Sequence, residues 1–213
     1  MDWRVPTEAL IPGLEGVVLR QLHDVRGPQT AGDVHARAGT GSRNGVRYAL
    51  EKLARQGLVL RQDVGNAAIY SLNHDHVVYP SLHAALELLR PYEALRTRVR
   101  DEVRDATWSN PELPAVAIYG SVARGEAGPE SDVDVLVVVP DAVGIDDPHV
   151  DGLCETLHVG IRRWTGNRAH IDVRTRGDVA TAILAQDPIA ASWQADADVV
   201  VGPSPFGPDE AER

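Results

Sequence analysis

Residues 118–139 read IYGSVARGEAGPESDVDVLVVV and place a polar turn between two apolar runs. The first run, residues 115–119, stops at Gly120-Ser121, and the second, residues 135–139, follows Asp132 and Asp134. In a strand, residues i and i+2 share a face and lie roughly 6.6 Å apart. The two carboxylates can therefore converge on one or two divalent ions, an arrangement that suits phosphate chemistry.

The turn that ends the first run has the residue types of a phosphate site. Gly120 lets a phosphate approach the backbone, and Ser121 adds a hydroxyl donor. Unpaired amide groups at a strand-to-helix turn also attract anions. Arg124 is predicted one turn into the helix, where it would reach the outer phosphates. A surface ion pair with the acidic residues nearby is the alternative for Arg124.

Three carboxylates are the candidate metal ligands. We expect Asp132 and Asp134 to hold Mg²⁺, with Mn²⁺ as the substitute, because Mg²⁺ prefers carboxylates together with substrate phosphates. A third carboxylate on a neighbouring strand would complete a two-metal site, and Asp172 is the best candidate. Strand alternation puts His170 on the same face as Asp172, either in contact with the substrate or as a partly exposed imidazole. The substitutes for the third ligand are Asp178 and Glu155.

The stretch GSVARGEAGPESDVDVLVVV, followed by the triplet Ile171-Asp172-Val173, resembles the minimal branch of the DNA polymerase β-type nucleotidyltransferase superfamily. The resemblance implies a mixed sheet flanked by helices, and transfer of a nucleoside monophosphate from an NTP with release of pyrophosphate. It also implies that Gly120 and Ser121 position the triphosphate and that Asp132, Asp134 and Asp172 bind the catalytic metals. Arg124 and Ser131, in the same stretch, complete the predicted nucleotide-binding set.

The N-terminal part of the chain shows helical periodicity followed by a hairpin pattern. Apolar spacing predicts helices over residues 12–26, 31–38 and 43–56, with Thr30 and Ser42 as N-caps of the second and third. Residues 58–60 and 68–72, on either side of a turn at 63–66, predict a β-hairpin. Three helices followed by a hairpin is the order of a winged helix-turn-helix.

Residues 29–73, QTAGDVHARAGTGSRNGVRYALEKLARQGLVLRQDVGNAAIYSLN, resemble the winged-helix modules of the ArsR and MarR groups of bacterial regulators. The resemblance implies that the third helix is a recognition helix and that the hairpin reaches the flanking backbone or minor groove. The alternative is a solvated helix face on a module used for dimerisation or protein contact. The predicted DNA-binding residues are Ser42, Arg43, Asn44, Arg47 and Arg61, with Asn66 in the hairpin turn.

Charge is distributed unevenly along the 213 residues. Residues 1–80 hold nine basic and eight acidic side chains, a net charge of +1, whereas residues 81–213 hold twelve and twenty-three, a net charge of −11. A nucleic acid would therefore approach the N-terminal part more readily than the acidic C-terminal part. The single cysteine excludes an intrachain disulfide framework. Without an apolar run long enough for a membrane span and without a signal-like N-terminus, we expect a cytoplasmic protein that binds no membrane.

The expected fold class is α+β, in four segments. Residues 1–80 form the winged helix-turn-helix, 81–110 a linking helical segment, 111–202 the nucleotidyltransferase domain and 203–213 a disordered tail. Pro91 is expected to break or kink the linking segment midway. The segment carries an apolar seam at Leu82, Leu86, Leu89, Leu95, Val99 and Val103. Our hypothesis is that this seam forms a homodimer.

These patterns predict a Mg²⁺-dependent nucleotidyltransferase joined to a DNA-binding module, with NTP as the substrate and an unknown acceptor, for example a protein or an RNA end. A second hypothesis is a transcriptional regulator whose C-terminal domain senses a nucleotide without turnover. A third is an antitoxin-like enzyme that nucleotidylates a partner toxin, since minimal nucleotidyltransferases occur in such pairs.

Overall fold

The computed structural model describes residues 1–25, 27–106, 108 and 112–207. The chain divides into two compact units. The N-terminal unit comprises residues 2 and 4–90, and the C-terminal unit comprises residues 1, 3 and 91 onward.

The N-terminal unit is built from helices and a small antiparallel sheet. Its elements are a 3₁₀ helix, Pro6–Ala9, then α1 (Leu14–Asp24), β1 (Gln29–Thr30), α2 (Ala31–Ala38), α3 (Arg43–Arg55), β2 (Val59–Val64), β3 (Ala67–Leu72) and α4 (Tyr79–Leu88). The strands lie in the order β1-β3-β2. The predicted sequence of three helices and a hairpin is therefore present, with a short added strand, β1, that local periodicity does not indicate.

The caps that define α2 and α3 are those that the sequence predicts. Thr30 and Asp33 form a capping box, in which each side chain binds the other residue's backbone amide. The Ser42 hydroxyl accepts a hydrogen bond from the Gly45 amide at 3.0 Å. These bonds satisfy amides that would otherwise lack partners in the first helical turn, and they fix where each helix begins.

The C-terminal unit is a mixed sheet with helices on both faces. Its elements are α5 (Pro91–Asp105), β4 (Ala115–Tyr119), α6 (Gly120–Ala123), β5 (Val133–Val139), α7 (Pro148–Thr165), β6 (Ala169–Thr175), α8 (Arg176–Leu184), α9 (Pro188–Asp196) and β7 (Asp198–Val201). The strand order is β6-β5-β4-β7. β5 runs parallel to β6, whereas β4 pairs antiparallel with both β5 and β7.

Alternating residues of this sheet enter two separate cores. On β5, Val133, Val135, Val137 and Val139 pack in the core that includes residues of α5 and α7. Leu136 and Val138 pack on the opposite face with residues of α8 and α9. Strand alternation therefore directs Asp134 to the α8 and α9 side.

The segment predicted as a linking helix, residues 81–110, is instead divided between the two units at Pro91. Pro91 has no amide hydrogen, so the helix that ends at Leu88 cannot continue through it. Leu82 and Leu86 are buried in the N-terminal core, and Leu95, Val99 and Val103 are buried in the C-terminal core. These five residues of the seam proposed for dimerisation are therefore used within the chain and are not available to a second copy.

The C-terminal tail departs in part from the prediction of disorder. Phe206 packs against the core formed by α8, α9 and the sheet. The rest of the predicted tail, residues 208–213, lies outside the described residues, as does the predicted domain boundary between residues 110 and 111. Among the described residues no helix is both long enough and apolar enough to cross a membrane.

Candidate active site

Asp134 lies where β4 and β5 meet at the Gly-Ser turn. It pairs with Tyr119, the last residue of β4, so Gly120 follows directly beside its carboxylate. Gly120 has φ +73°, and a Cβ atom there would lie 2.5 Å from Asp134 Oδ2. Glycine is thus required both by the backbone conformation and by the carboxylate packed against it. From the sequence alone, only the approach of a phosphate to the backbone explained a glycine at this position.

The surroundings of Asp134 disfavour its negative charge. Its side chain is 29% exposed. Burial raises the pKa of the Asp134 carboxyl, the imidazole of His170 opposes this effect, and the nearby charges of Asp132 and Asp196 add to it. His170 Nδ1 lies 3.4 Å from Asp134 Oδ1. A half-buried carboxylate beside two like charges is a site that a bound cation would stabilise.

The other two predicted ligands each face an arginine. Arg168 Nε lies 3.5 Å from Asp132 Oδ1. Arg174 binds Asp172 through both groups of its fork, with Nε 2.9 Å from Oδ1 and Nη2 3.3 Å from Oδ2. The Asp172 side chain is only 14% exposed. Arg168 and Arg174 were not predicted from the sequence, although the alternation of polar residues along 168–174 places both on the face of Asp172.

The parallel register sets the spacing of the ligands. Asp134 pairs with His170, whereas Asp172 pairs with Leu136, two residues further along β5. His170 contacts Asp134, and Ile171 and Val173 pack in the opposite core, which confirms the predicted alternation of β6. The oxygens of Asp132, Asp134 and Asp172 do not form a group within 4.8 Å of one another; among the described residues only His23, His83 and Glu87 do. We call Asp132, Asp134 and Asp172 the carboxylate site.

The donor set of the carboxylate site fits a hard divalent cation. All its predicted ligand atoms are carboxylate oxygens, which Mg²⁺ and Mn²⁺ prefer, and a bound cation would offset the burial and the like charges that raise the pKa of the Asp134 carboxyl. Asp172 would have to exchange Arg174 for the metal before it could act as the third ligand.

The residues predicted to bind phosphate adjoin the carboxylate site, but the helix that carries them, α6, is shorter than expected. α6 has only four residues, so Arg124 caps its C-terminus and does not lie within the helix. The Arg124 guanidinium binds Glu126 Oε2 at 2.8 Å and forms a second ion pair with Asp196. The alternative foreseen for Arg124, an ion pair, is therefore the state observed. Ser131 Oγ accepts a hydrogen bond from the Gly128 amide at 3.0 Å and thereby closes the turn that precedes Asp132.

Asn167 organises this turn and was not identified from the sequence. Its side chain is buried, and its Nδ2 donates to the carbonyl oxygens of Gly128, Pro129 and Ser131 at 3.3, 3.2 and 2.9 Å. The next residue, Arg168, accepts a hydrogen bond from the Val133 amide at 2.8 Å. Asn167 therefore holds the chain that presents Asp132. Because the three carbonyls are distant from Asn167 in sequence, no local pattern indicated its role.

Asp196, at the end of α9, is a further acidic residue at the site. One of its oxygens pairs with Arg124, and the other is buried without a hydrogen-bond partner among the described residues. Its charge contributes to the raised pKa of the Asp134 carboxyl. No helical or strand pattern distinguishes Asp196 in the sequence, because its proximity arises only when α9 packs on the sheet.

Most of the N-terminal residues predicted to bind DNA line one concavity with a volume of about 670 Å³. We call its lining the arginine surface, which includes Arg43, Asn44, Arg47, Arg61 and Asn66. Arg61 is held by Glu51 at 3.2 Å and by Asp63 at 2.7 Å. Arg43 and Arg47 are exposed and have no ion pair within the described part of the chain. Ser42 caps α3 through its hydroxyl and is not among the residues that line this surface.

Comparisons with known proteins agree with the geometry of the C-terminal unit. Residues 99–181 match the family model described as a nucleotidyltransferase domain. The matched segment contains the Gly-Ser turn, β5 and β6, and with them all three residues of the carboxylate site. The C-terminal unit thus carries a nucleotidyltransferase domain, and the protein is an enzyme of that class.

The search of solved structures gave a protein from Sulfolobus solfataricus assigned to the nucleotidyltransferases. It is 21% identical in the aligned part, which covers 52% of this chain and 86% of the other, and the TM-score is 0.27. A similarity at this level supports no conclusion about the site. The comparison with curated proteins gave no match.

Proposed function

We propose that the protein is a Mg²⁺-dependent enzyme that transfers a nucleoside monophosphate from an NTP to an acceptor, with release of pyrophosphate. Asp132, Asp134 and Asp172 would hold the metal. When bound, the metal would lower the pKa of the attacking hydroxyl and neutralise charge on the triphosphate. The acceptor oxygen attacks the α-phosphorus as the bond to the leaving pyrophosphate breaks.

The protein's own residues would supply binding and orientation. Ser121 offers a hydroxyl donor to the phosphates, and Gly120 keeps Asp134 close to the turn that receives them. Arg124 would contribute to phosphate binding after release from Glu126 and Asp196, an exchange that an incoming polyphosphate favours because its charge is higher. Asn167 would fix the turn that presents Asp132.

The observation that carries the proposal is the position of Asp134. It is half-buried against Gly120, beside Asp132 and Asp196, and its carboxyl has a raised pKa. A folded chain without a cationic ligand pays for this arrangement in stability, and groups of this kind concentrate at functional sites.

Incubation of the purified protein with α-labelled NTPs, Mg²⁺ and cell lysate tests the reaction. We expect label to appear on an acceptor, with pyrophosphate released in equal amount, and neither to occur with the Asp132→Ala/Asp134→Ala variant. Label on a single partner protein would favour the antitoxin-like mode, whereas label on RNA ends would favour RNA modification. No transfer to any lysate component, with no stabilisation by nucleotide, would refute the enzyme function.

We further propose that residues 1–80 form a DNA-binding winged helix-turn-helix. The arginine surface supports this proposal, because Arg43 and Arg47 on α3 and Asn66 in the hairpin turn line one concavity. Arg61 would contribute less than expected from the sequence, because Glu51 and Asp63 already compensate its charge.

A nucleotide sensor without turnover is the second candidate, and two observations favour it. Asp172 is held by both groups of Arg174, and the three carboxylates do not converge within 4.8 Å. DNA binding that changes with ATP or GTP, in the absence of pyrophosphate release, would support the sensor over the transferase.

A further inference from the structure

A second group of potential metal ligands lies entirely within the N-terminal unit. His23 comes from the last turn of α1, and His83 and Glu87 stand one turn apart on α4. His23 Nε2 lies 2.9 Å from His83 Nδ1 and 3.5 Å from Glu87 Oε1. One atom of each residue lies within 4.8 Å of the other two, which is true of no other such trio among the described residues.

The neighbours of His23 determine which of its ring nitrogens is free to bind a metal. His23 Nδ1 faces Asp24 Oδ1 at 3.4 Å, and Arg20 Nε donates to the other Asp24 oxygen at 2.8 Å. An ionised Asp24 favours the proton on Nδ1 and leaves the lone pair on Nε2. This lone pair is directed at His83 and Glu87. A carboxylate that orients a ligating histidine in this way is a frequent companion of metal sites.

The metal-free contacts alone account poorly for the arrangement. Two imidazole nitrogens at 2.9 Å can share one hydrogen bond, yet the Glu87 oxygen approaches the same His23 nitrogen. With Nε2 unprotonated, the carboxylate and that nitrogen are both acceptors and gain nothing from proximity. A cation between the three atoms would convert these competing acceptors into ligands.

We propose that His23, His83 and Glu87 bind a divalent transition metal of the zinc class. Two imidazoles and one carboxylate form the donor set that such metals take, whereas Mg²⁺ and Ca²⁺ prefer oxygen ligands alone. A water molecule completes the coordination, and the adjoining cavity of about 570 Å³ has room for it. His74, which lines the same cavity and stacks on Tyr79 with ring centroids 4.6 Å apart, stands near the site.

The bound metal ties α4 to α1. A direct polar connection between these helices already exists in the hydrogen bond from Arg20 Nη1 to the Leu86 carbonyl, at 2.9 Å. Metal binding adds three ligand bonds, one from the last turn of α1 and two from α4, so it stabilises the folded N-terminal unit. The site is independent of the carboxylate site and does not rest on the proposed nucleotidyl transfer.

Titration of the full chain with Zn²⁺ and Co²⁺ tests the proposal. The protein is first stripped with a chelator, and Mg²⁺ in large excess then occupies the carboxylate site. We expect one equivalent of Zn²⁺ to bind by calorimetry with a rise in Tm, and Co²⁺ to give the intense visible absorption of a four-coordinate site with imidazole ligands.

Matched variants locate the metal. His83→Gln and His23→Gln should each weaken binding by more than about 100-fold, and Asp24→Asn, which only orients His23, by about 10–100-fold. His158→Gln, an exposed histidine of α7, should bind as the unaltered chain does. Because His83 and Glu87 are exposed, circular dichroism should show that the His83→Gln and Glu87→Gln proteins keep their fold.

Two results would overturn the inference. One is the absence of both the calorimetric signal and the Co²⁺ band in the stripped protein. The other is binding that survives His83→Gln but is lost in Asp134→Asn, which would assign the metal to the carboxylate site.

Discussion

The carboxylate site and the arginine surface manage charge in different ways. In the carboxylate site Asp132 and Asp172 are each paired with an arginine, Arg168 and Arg174, and Asp134 lies beside the imidazole of His170. On the arginine surface only Arg61 is compensated, and Arg43 and Arg47 remain exposed without an ion pair in the described chain. The carboxylate site therefore pairs its charges within the protein, whereas the arginine surface leaves Arg43 and Arg47 accessible to a polyanion.

The difference follows from the backbone that carries each set. Strands β5 and β6 lie in fixed register, so the positions of Asp134 and Asp172 are determined by hydrogen bonds between strands. Arginines on the first turns of α3 project into solvent from long flexible side chains. Substitutions in the carboxylate site should thus change chemistry sharply, whereas substitutions on the arginine surface should change affinity by degrees.

Asp134→Asn should have the largest effect. We expect the rate of pyrophosphate release to fall by about 10²–10³-fold or more, the order seen when one group that stabilises developing charge is removed. Its Tm should stay level or rise, because the pKa of the Asp134 carboxyl is raised by burial and the charged form therefore destabilises the fold at neutral pH. Glu130→Gln, an exposed change in the same loop, is the control for rate and Tm. A large loss of Tm in Asp134→Asn would contradict this account of the site.

Asn167→Ala should come next and act on stability. It leaves three carbonyl oxygens of the turn before Asp132 without their donor, at a cost of about 1–3 kcal/mol in the free energy of unfolding. Asn167→Asp, which is similar in size but presents a carboxylate to the same oxygens, should lose more. Chemical denaturation measures both, and equal stability of Asn167→Asp and the unaltered protein would show that the side chain does not hold the turn.

Arg43→Gln and Arg47→Gln should each weaken binding to duplex DNA by about tenfold at 0.1 M salt and reduce the salt slope by about one. Arg61→Gln should have a smaller effect, because Glu51 and Asp63 already neutralise its charge. Fluorescence anisotropy over a range of salt concentrations measures the slopes. If Arg61→Gln weakened binding more than the other two, the contrast between paired and unpaired arginines would fail.

Arg174→Gln should have the smallest effect. Release of Asp172 should lower the Mg²⁺ concentration needed for half-maximal rate by about 2–5-fold, since a partly exposed ion pair is worth no more than about 1 kcal/mol. Asp172→Asn should raise that concentration. Should Arg174→Gln reduce the rate as severely as Asp172→Asn, then Arg174 contacts the substrate and does not merely hold Asp172.

Local signals predicted much of the fold. The bounds of α2 agree with the sequence prediction, because a capping box marks its start, and the alternation predicted for His170 and Asp172 is present in β6. β1 was missed because its two residues become a strand only through pairing with β3. The interruption at Pro91 was expected, but the assignment of its two helices to different units was missed, because one apolar periodicity continues across both.

The site was predictable to the extent that neighbours in sequence are neighbours in space. Asp132, Asp134 and the Gly-Ser turn fall within one short stretch of sequence. The pairing of β4 with β5 inside this stretch brings them together. Asn167 and Asp196 reach the site from distant elements, so no pattern near them indicated a role. His23 and His83 lie sixty residues apart in sequence and meet only through the packing of α1 on α4.

Equilibrium binding of a non-hydrolysable NTP, with and without Mg²⁺, tests the central claim that Asp134 holds the metal and its nucleotide. In the unaltered protein Mg²⁺ should tighten nucleotide binding by at least about tenfold, a coupling of about 1.4 kcal/mol. In Asp134→Asn this dependence on Mg²⁺ should disappear, while binding without Mg²⁺ should equal or exceed that of the unaltered protein because one repelling charge is gone. The same Mg²⁺ dependence in both proteins would contradict the account.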